Sequence, residues 1–161
     1  MIRKRMLLVI AAVVALAAAG TALATLASGL TPTTFVRATL DGNKKHEGVK
    51  AHADHIKLDA KGPTDVVVQT ITFKPGASSG WHSHPGIVLV AVERGTLTRY
   101  TAECETTQYG TGAGFVEFGD HAGLVRNNTV TNAVVYVTYI IPKATTSLRN
   151  DQPQPTSCSA S

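Results

Sequence analysis

The sequence predicts an all-β protein, folded as one sandwich or barrel. Six short runs rich in valine, isoleucine, threonine and aromatic residues follow one another after about residue 50. Groups of glycine, proline, lysine and asparagine typical of turns separate the runs. No stretch after residue 50 repeats its apolar residues with the period of a helix. Closely spaced strands without helices are typical of an antiparallel fold.

The six predicted strands cover residues 55–58, 65–73, 87–93, 96–101, 114–118 and 131–141. The second, DVVVQTITF, places Val67, Gln69, Ile71 and Phe73 on its more apolar face, because side chains alternate along a strand. The last contains YVTYI, which is aromatic or β-branched throughout. That pattern favours a strand covered on both sides or lying at an interface with a partner.

The first 24 residues have the pattern of an export signal. The basic segment MIRKR precedes the apolar run MLLVIAAVVALAAAG, and Ala22-Leu23-Ala24 is a small-x-small cleavage pattern. We expect cleavage between Ala24 and Thr25 and a secreted, periplasmic or otherwise extracytoplasmic protein. The open alternative is an uncleaved membrane anchor, since a run of about 20 apolar residues can cross a bilayer.

The charge balance excludes nucleic acid as a partner. Of 15 basic residues, Arg3, Lys4 and Arg5 belong to the predicted signal, and the rest nearly equal the 11 acidic residues. The cluster Lys44-Lys45-His46 is too small for a nucleic-acid surface. A membrane partner is expected only if the N-terminal segment stays uncleaved.

The remaining chain is long enough for one domain. Residues 25–50 are expected to form an irregular N-terminal arm with at most one strand near Phe35, residues 51–145 the barrel, and residues 146–161 a polar tail. Cys104 and Cys158 are expected to form a disulfide, as export permits. The bond would fasten the tail to the barrel. Because it closes a long loop, it would stabilise the folded state by about 4 kcal/mol on the chain-entropy model.

The segment GWHSHPG suggests a metal site. On a strand, His82 and His84 present both imidazoles to one side. Paired neutral imidazoles suit zinc, copper, iron, nickel or manganese better than calcium or magnesium. Two surface histidines at the start of a strand are the open alternative.

The surrounding residues resemble the first motif of the cupin family, in which a glycine precedes an H-x-H pair and a glutamate and second glycine follow. The matching positions are Gly76, His82, His84 and Gly95. The glutamate does not match, because Val88 and Leu89 occupy the two positions where it is expected.

The second cupin motif matches only at its ends, Gly112 and Asn127. Gly123 stands where the motif has a histidine. His121 lies two residues earlier, on the same face and about 6.6 Å away along a regular strand. A bulge before His121 would correct that offset.

The resemblance implies a jelly-roll barrel (double-stranded β-helix) with a divalent transition metal, zinc, iron, manganese, nickel or copper, at His82, His84 and His121, and no organic cofactor. No acidic residue matches the role of the motif glutamate. Glu117 would lie about 13 Å from His121 along an extended strand. The side chain of Glu93 would point to the opposite face of its strand from Val88.

The function implied is the binding or transformation of a small molecule in the barrel mouth; whether the protein is an enzyme is left open. The alternative is a barrel without metal that binds a ligand or serves as a cell-envelope scaffold. A homodimer is also open, as cupin barrels commonly pair edge to edge. The sequence lacks a phosphate-binding glycine loop, a G-x-S-x-G elbow and a CxxC pair.

Overall fold

The structure is a computed structural model that describes residues 23–40 and 48–158. None of these residues is helical, so none lies in a helix that could span a membrane. The all-β prediction is confirmed. The strands of the described ranges are β1 (Ser28–Leu40), β2 (Lys50–Ala53), β3 (Ile56–Asp59), β4 (Thr64–Ser78), β5 (His82–Ser83), β6 (Ile87–Arg94), β7 (Thr96–Thr101), β8 (Thr106–Gly110), β9 (Gly114–Phe118), β10 (Gly123–Arg126), β11 (Ala133–Pro142) and β12 (Asn150–Asp151).

Ten of these strands form one antiparallel sheet that curls into a nearly closed jelly-roll barrel. The order along the sheet is β12-β5-β10-β4-β11-β6-β9, with β1 paired to β4, β7 to β10, and β8 to β7. Strands β2 and β3 form a separate hairpin. Because β5 and β9 lie toward opposite ends of this strand order, the curling of the sheet is what brings their side chains together.

The barrel core comes from strict alternation along the long strands. The more apolar face of β4 points into the barrel, since Val67 and Phe73 are buried. In β6, every second residue is buried between exposed neighbours. The apolar side chains that fill the interior include Val67, Phe73, Val88, Val90, Leu97, Val125, Val135, Val137 and Ile141.

Residues 25–50 differ from the expected irregular arm, because β1 occupies Ser28–Leu40. Its threonine-rich sequence suits a strand, and it follows β4 from the Leu30–Phe73 pair to the Leu40–Thr64 pair. The proline in the segment is tolerated because β1 is an edge strand that needs hydrogen bonds on one side only. The register shifts around Phe35, the position where a strand was predicted.

The C-terminal tail belongs to the barrel. Cys104 and Cys158 form the predicted disulfide, with Cα atoms 5.4 Å apart. Between the barrel and that bond, β12 pairs with β5. The tail is therefore held at two points, and one of them is the strand that begins at His82.

A charged contact joins β1 to β4 beyond their backbone ladder. Arg37 Nε donates a hydrogen bond to Asp65 Oδ2 at 2.8 Å, and Thr39 Oγ1 donates one to Asp65 Oδ1 at 2.8 Å. The hydrogen bond from Thr39, followed by the hydrogen bond and charge of Arg37, outweighs burial and holds the pKa of Asp65 below its usual value. The ionised carboxylate therefore stabilises the folded state.

We expect Asp65→Asn to lower the melting temperature at pH 7. The pKa of Asp65 in the folded state lies below its value of about 3.9 in the unfolded state. Its contribution to stability is therefore complete above about pH 3.9 and is lost as the pH falls through the folded-state pKa. The difference in melting temperature between wild type and variant should therefore shrink below about pH 4. Thermal unfolding by circular dichroism checks it, with exposed Asp120→Asn as control. A difference that stays constant from pH 7 to pH 3 would contradict the role of this carboxylate.

Candidate metal centre

The predicted histidine pair lies at the short strand β5, which contains His82 and ends just before His84. His82 is flanked by β10 through Gly123 and by β12 through Asp151. His82 and His84 are buried, 6% and 5% exposed, and their rings meet edge to face with centroids 4.8 Å apart. Both rings line the barrel cavity. The prediction that the two imidazoles share a side is confirmed, and the alternative of two surface histidines is wrong.

Backbone carbonyls fix the orientation of both rings. His82 Nδ1 lies 2.9 Å from the carbonyl oxygen of Gly80, and His84 Nδ1 lies 2.8 Å from that of Leu148. A carbonyl oxygen only accepts hydrogen bonds, so each Nδ1 carries a proton and donates it. In the neutral ring, the lone pair is then at Nε2. Such outer contacts commonly set the tautomer of metal-binding histidines.

A buried carboxylate faces both Nε2 atoms. Glu117 Oε2 lies 3.2 Å from His84 Nε2 and 4.0 Å from His82 Nε2. The candidate ligand atoms of the three residues all lie within 4.8 Å of one another. Glu117 Oε1 turns instead toward Arg99 Nε at 3.6 Å. One oxygen of the carboxylate thus faces the histidines and the other faces a cation.

The position of Glu117 explains the missing glutamate of the first motif. Val88 stands at an expected glutamate position on β6, and it is paired directly with Glu117 on β9. Directly opposed residues share a face of the sheet, with Cβ atoms about 5 Å apart. The inward carboxylate therefore comes from the neighbouring strand, while Val88 is buried beside it.

The glycine in the second motif has a related explanation. Gly123 stands where the motif has a histidine, and it pairs with His82. A Cβ atom built on Gly123 would lie 3.3 Å from Glu117 Oε1. Any side chain here would crowd the carboxylate. Glycine at position 123 and valine at position 88 are thus both compatible with a carboxylate supplied by Glu117.

The structure does not place His121 with the other two histidines. Strand β9 ends at Phe118, and Gly119 then adopts a φ of 55°, so the chain turns instead of continuing the strand. His121 is exposed after this turn and packs on the Phe118 ring at 4.9 Å. The regular strand assumed for His121 is absent, and Glu117, set aside on the same assumption, is the third member of the group.

Electrostatics favour a neutral His82 and an ionised Glu117. Burial lowers the pKa of His82. The charge of Glu117 acts in the opposite direction, but Arg149 and His84 lower the pKa further. Burial alone would raise the pKa of Glu117, but the His84 hydrogen bond and the charges of His82, His84 and Arg99 outweigh it and lower the pKa. A carboxylate that stays ionised in this interior depends on positive charge beside it.

The donor set fits a metal ion. With both Nδ1 protons committed, two nitrogen lone pairs and a carboxylate oxygen face one small region. Lone pairs do not bond to one another, so a cation, either a proton or a metal ion, is needed among them. Two imidazoles and one carboxylate are a donor set used by zinc and by non-haem iron. The site is therefore compatible with a divalent transition metal.

The group opens onto a cavity of about 430 Å³ inside the barrel. Its walls are mainly apolar and include Val90, Leu97 and Phe115. Tyr139 also lines the cavity, with its ring 5.8 Å from that of His84. Its hydroxyl makes no hydrogen bond to a described residue. Burial, followed by the charge of Glu117, raises the pKa of Tyr139 to about 12, so the phenol keeps its proton at neutral pH.

Comparisons with known proteins find likeness in fold. No family model matches the sequence, and no curated protein matches it. A protein of unknown function from Streptococcus pyogenes has 15% identity and a TM-score of 0.48, covering 71% of this chain and 76% of that one. A Cupin 2 conserved barrel domain protein from Leptotrichia buccalis has 16% identity and a TM-score of 0.47, covering 70% of this chain and 41% of that one.

A cupin superfamily protein from Desulfitobacterium hafniense DCB-2 is similar at 9% identity and a TM-score of 0.48, covering 71% of this chain and 80% of that one. With TM-scores below 0.5, these likenesses carry no argument about the family, ligand or activity of this chain. The candidate site rests on the geometry of this chain alone.

Proposed function

We propose that this protein binds a divalent transition metal through His82, His84 and Glu117 and holds a small, mainly apolar molecule beside it. The observation that carries the proposal is the convergence of two Nε2 lone pairs and Glu117 Oε2 in the barrel interior. Zinc, iron, manganese, nickel and copper all accept such donors. An ion held there would supply a positive centre that polarises an oxygen atom of the bound molecule.

The chain's own residues define which molecule would fit. The apolar walls favour a hydrocarbon or aromatic body small enough for about 430 Å³. Tyr139 offers a hydrogen-bond donor in the same cavity, suited to an oxygen atom of that molecule. Glu117 balances charge through Oε2, while Arg99 near Oε1 restrains its carboxylate. The ligand class favoured is an apolar compound with adjacent oxygen atoms.

We also propose that the chain is exported, with the signal removed between Ala24 and Thr25. The Cys104–Cys158 disulfide supports this proposal, because such bonds persist in oxidising compartments. Residues 1–22 lie outside the described residues. Thr25 itself is tied down, since its Oγ1 accepts a hydrogen bond from Trp81 N at 2.6 Å and its N donates one to the Gln152 carbonyl at 3.1 Å. A chain beginning at Thr25 keeps both partners.

The purified protein is expected to carry close to one equivalent of a transition metal. Replacing a ligand leaves too few donors, so His82→Ala/His84→Ala and Glu117→Gln should each lower the bound metal at least tenfold after dialysis against a weak chelator. Elemental analysis of untagged protein measures this. His121→Ala is the matched control and should keep its metal. Loss of metal in His121→Ala with retention in Glu117→Gln would refute the assignment.

Tyr139→Phe tests the ligand side of the proposal. We expect cobalt-substituted protein to bind 4-nitrocatechol, an aromatic probe with two adjacent oxygens, and the variant to bind it about fivefold to tenfold more weakly, because a hydrogen bond contributes about 1 kcal/mol. Absorbance titration measures the affinity, and metal content should be unchanged. Equal affinity in both proteins would leave Tyr139 a packing residue only.

Export is tested by intact-mass analysis of the protein from the extracytoplasmic fraction of cells that express the full-length sequence. We expect a chain beginning at Thr25, two hydrogens lighter than its reduced form because the two cysteines are paired. A full-length chain recovered with membranes would instead establish the uncleaved anchor.

A further inference from the structure

The end of the chain lies against the segment that contains the histidine pair. We call residues 147–158 the strap. Leu148 and Arg149 line the cavity that the two imidazoles face, and Cys158 at the other end is bonded to Cys104. One end of the strap is therefore fixed covalently, while the other contacts the candidate metal centre.

Hydrogen bonds join the strap to residues 79–84. Besides the β12–β5 ladder, they include those from Arg149 Nη1 to the Ser79 carbonyl at 2.7 Å, from Gln152 N to the Trp81 carbonyl at 2.9 Å, and from Gln152 Nε2 to Ser83 Oγ at 3.0 Å. The Leu148 carbonyl accepts the Nδ1 proton of His84. If the strap detached, His84 would lose the acceptor that fixes the orientation of its ring.

Beyond Gln152, the disulfide is the main restraint on the strap. Strand β12 has only two residues. In the described part of the chain, the later residues of the strap make few contacts with the barrel through hydrogen bonds. Ser157 Oγ donates to the Ala102 carbonyl at 3.3 Å, and Pro153 forms an isolated bridge with Ala24. A segment with so few contacts opens locally at low cost, so cleavage of the disulfide would free it.

The disulfide is accessible from outside the barrel. Cys104 is exposed, in the turn between β7 and β8. Both cysteines also line a second cavity, of about 520 Å³, whose walls include Trp81 and Tyr100. Exposed disulfides have more oxidising potentials than protected structural ones and exchange more readily with thiols. A thiol can therefore reach this bond while the barrel stays folded.

We propose that Cys104–Cys158 is a thiol-exchange site, at which a dithiol reductant releases the strap and thereby loosens the orientation of His84. One thiolate of the reductant attacks Cys104 Sγ, the S–S bond breaks, and Cys158 leaves as a thiolate that takes up a proton. The second thiol of the reductant then attacks the mixed disulfide and releases Cys104. Two electrons and two protons pass to the cysteines, and the reductant becomes a disulfide.

Release of the strap would weaken metal binding, a consequence that rests on the proposed function. Without the Leu148 carbonyl, the Nδ1 proton of His84 has no fixed acceptor, and Nε2 is no longer held toward Glu117. Loss of such an outer hydrogen bond typically lowers metal affinity about tenfold or more. The thiol exchange and the release of the strap do not depend on a metal.

Hydrogen–deuterium exchange on metal-free protein, purified after expression of the full-length sequence, tests the release. We expect dithiothreitol to reduce the folded protein without denaturant, and iodoacetamide then keeps the thiols from pairing again. Amides of residues 79–84 and 147–158 should exchange at least tenfold faster, while those of β4 and β11 keep their protection. Cys104→Ser/Cys158→Ser should give the same pattern without any reagent. The alkylated wild type decides the question if that variant fails to fold.

Cobalt titration of the same samples, after gel filtration has removed the reagents, tests the effect on His84. We expect the dissociation constant to rise about tenfold in the alkylated protein and in Cys104→Ser/Cys158→Ser. Val92→Ala is the matched control for lost stability, since Val92 is buried in the core and lines neither cavity. It should lower the melting temperature and leave the cobalt affinity unchanged.

Several outcomes would overturn the proposal. One is a disulfide that dithiothreitol reduces only in denaturant, and another is a reduced protein in which residues 79–84 and 147–158 stay protected. Protection lost equally in β4 and β11 would assign the bond to global stability alone. Unchanged cobalt affinity with a released strap would refute the link to His84. Oxidised wild type that binds no cobalt would refute the proposed function instead, and the exchange data would still decide whether reduction frees the strap.

Discussion

Two imidazole rings are buried in the barrel with their Nδ1 protons already committed to backbone carbonyls. Rotation of either ring would break a buried hydrogen bond, at a cost of about 1–3 kcal/mol, so both Nε2 atoms are held toward Glu117. This constraint determines the rest of the site. A carboxylate beside two lone pairs in an apolar interior requires a cation between them, and the cavity around that position has mainly apolar walls.

Local periodicity in the sequence was enough to predict one half of this site. Residues two apart on a strand share a face wherever the strand lies, so the side-by-side histidines followed from H-x-H alone. Glu117 could not be found in this way, because its proximity depends on the pairing of β9 with β6 and on the closure of the barrel. The local pattern pointed the other way: in GFVEF, Val116 and Phe118 make the face opposite Glu117 the more apolar one, so alternation alone favours an outward glutamate.

His121, the third predicted ligand, lies apart from the histidine pair for a physical reason. Placing His121 near the pair assumed that β9 continued through Asp120, whereas Gly119 adopts a left-handed conformation and ends the strand. The two mismatched motif positions, Val88 and Gly123, both lie beside Glu117. Gly123 leaves room for the carboxylate, and Val88 lies opposite it on the neighbouring strand. In the motifs, valine at the glutamate position and glycine at the histidine position are two unrelated mismatches. In three dimensions both lie around Glu117.

Strands with long alternating patterns were predicted nearly to their observed bounds, and the shortest were missed. Strands β5 and β12 have two residues each, too few for any period to emerge, and they exist because neighbouring strands pair with them. Strand β1 was underestimated because Pro32 suggested an irregular arm, although an edge strand tolerates proline. The disulfide was predicted correctly because two cysteines leave only one pairing within the chain.

The acceptor for His84 Nδ1 is the carbonyl of Leu148, 64 residues later in the chain. Strand β12, which flanks His82, and the cysteine that fastens the tail come later still. During synthesis the barrel strands therefore emerge before the carbonyl that orients His84, whereas Gly80, which orients His82, precedes its histidine. A nascent chain that ends before Leu148 presents His84 without the acceptor for its Nδ1 proton. The geometry of the imidazole pair is thus completed by a segment that follows the barrel strands in the sequence.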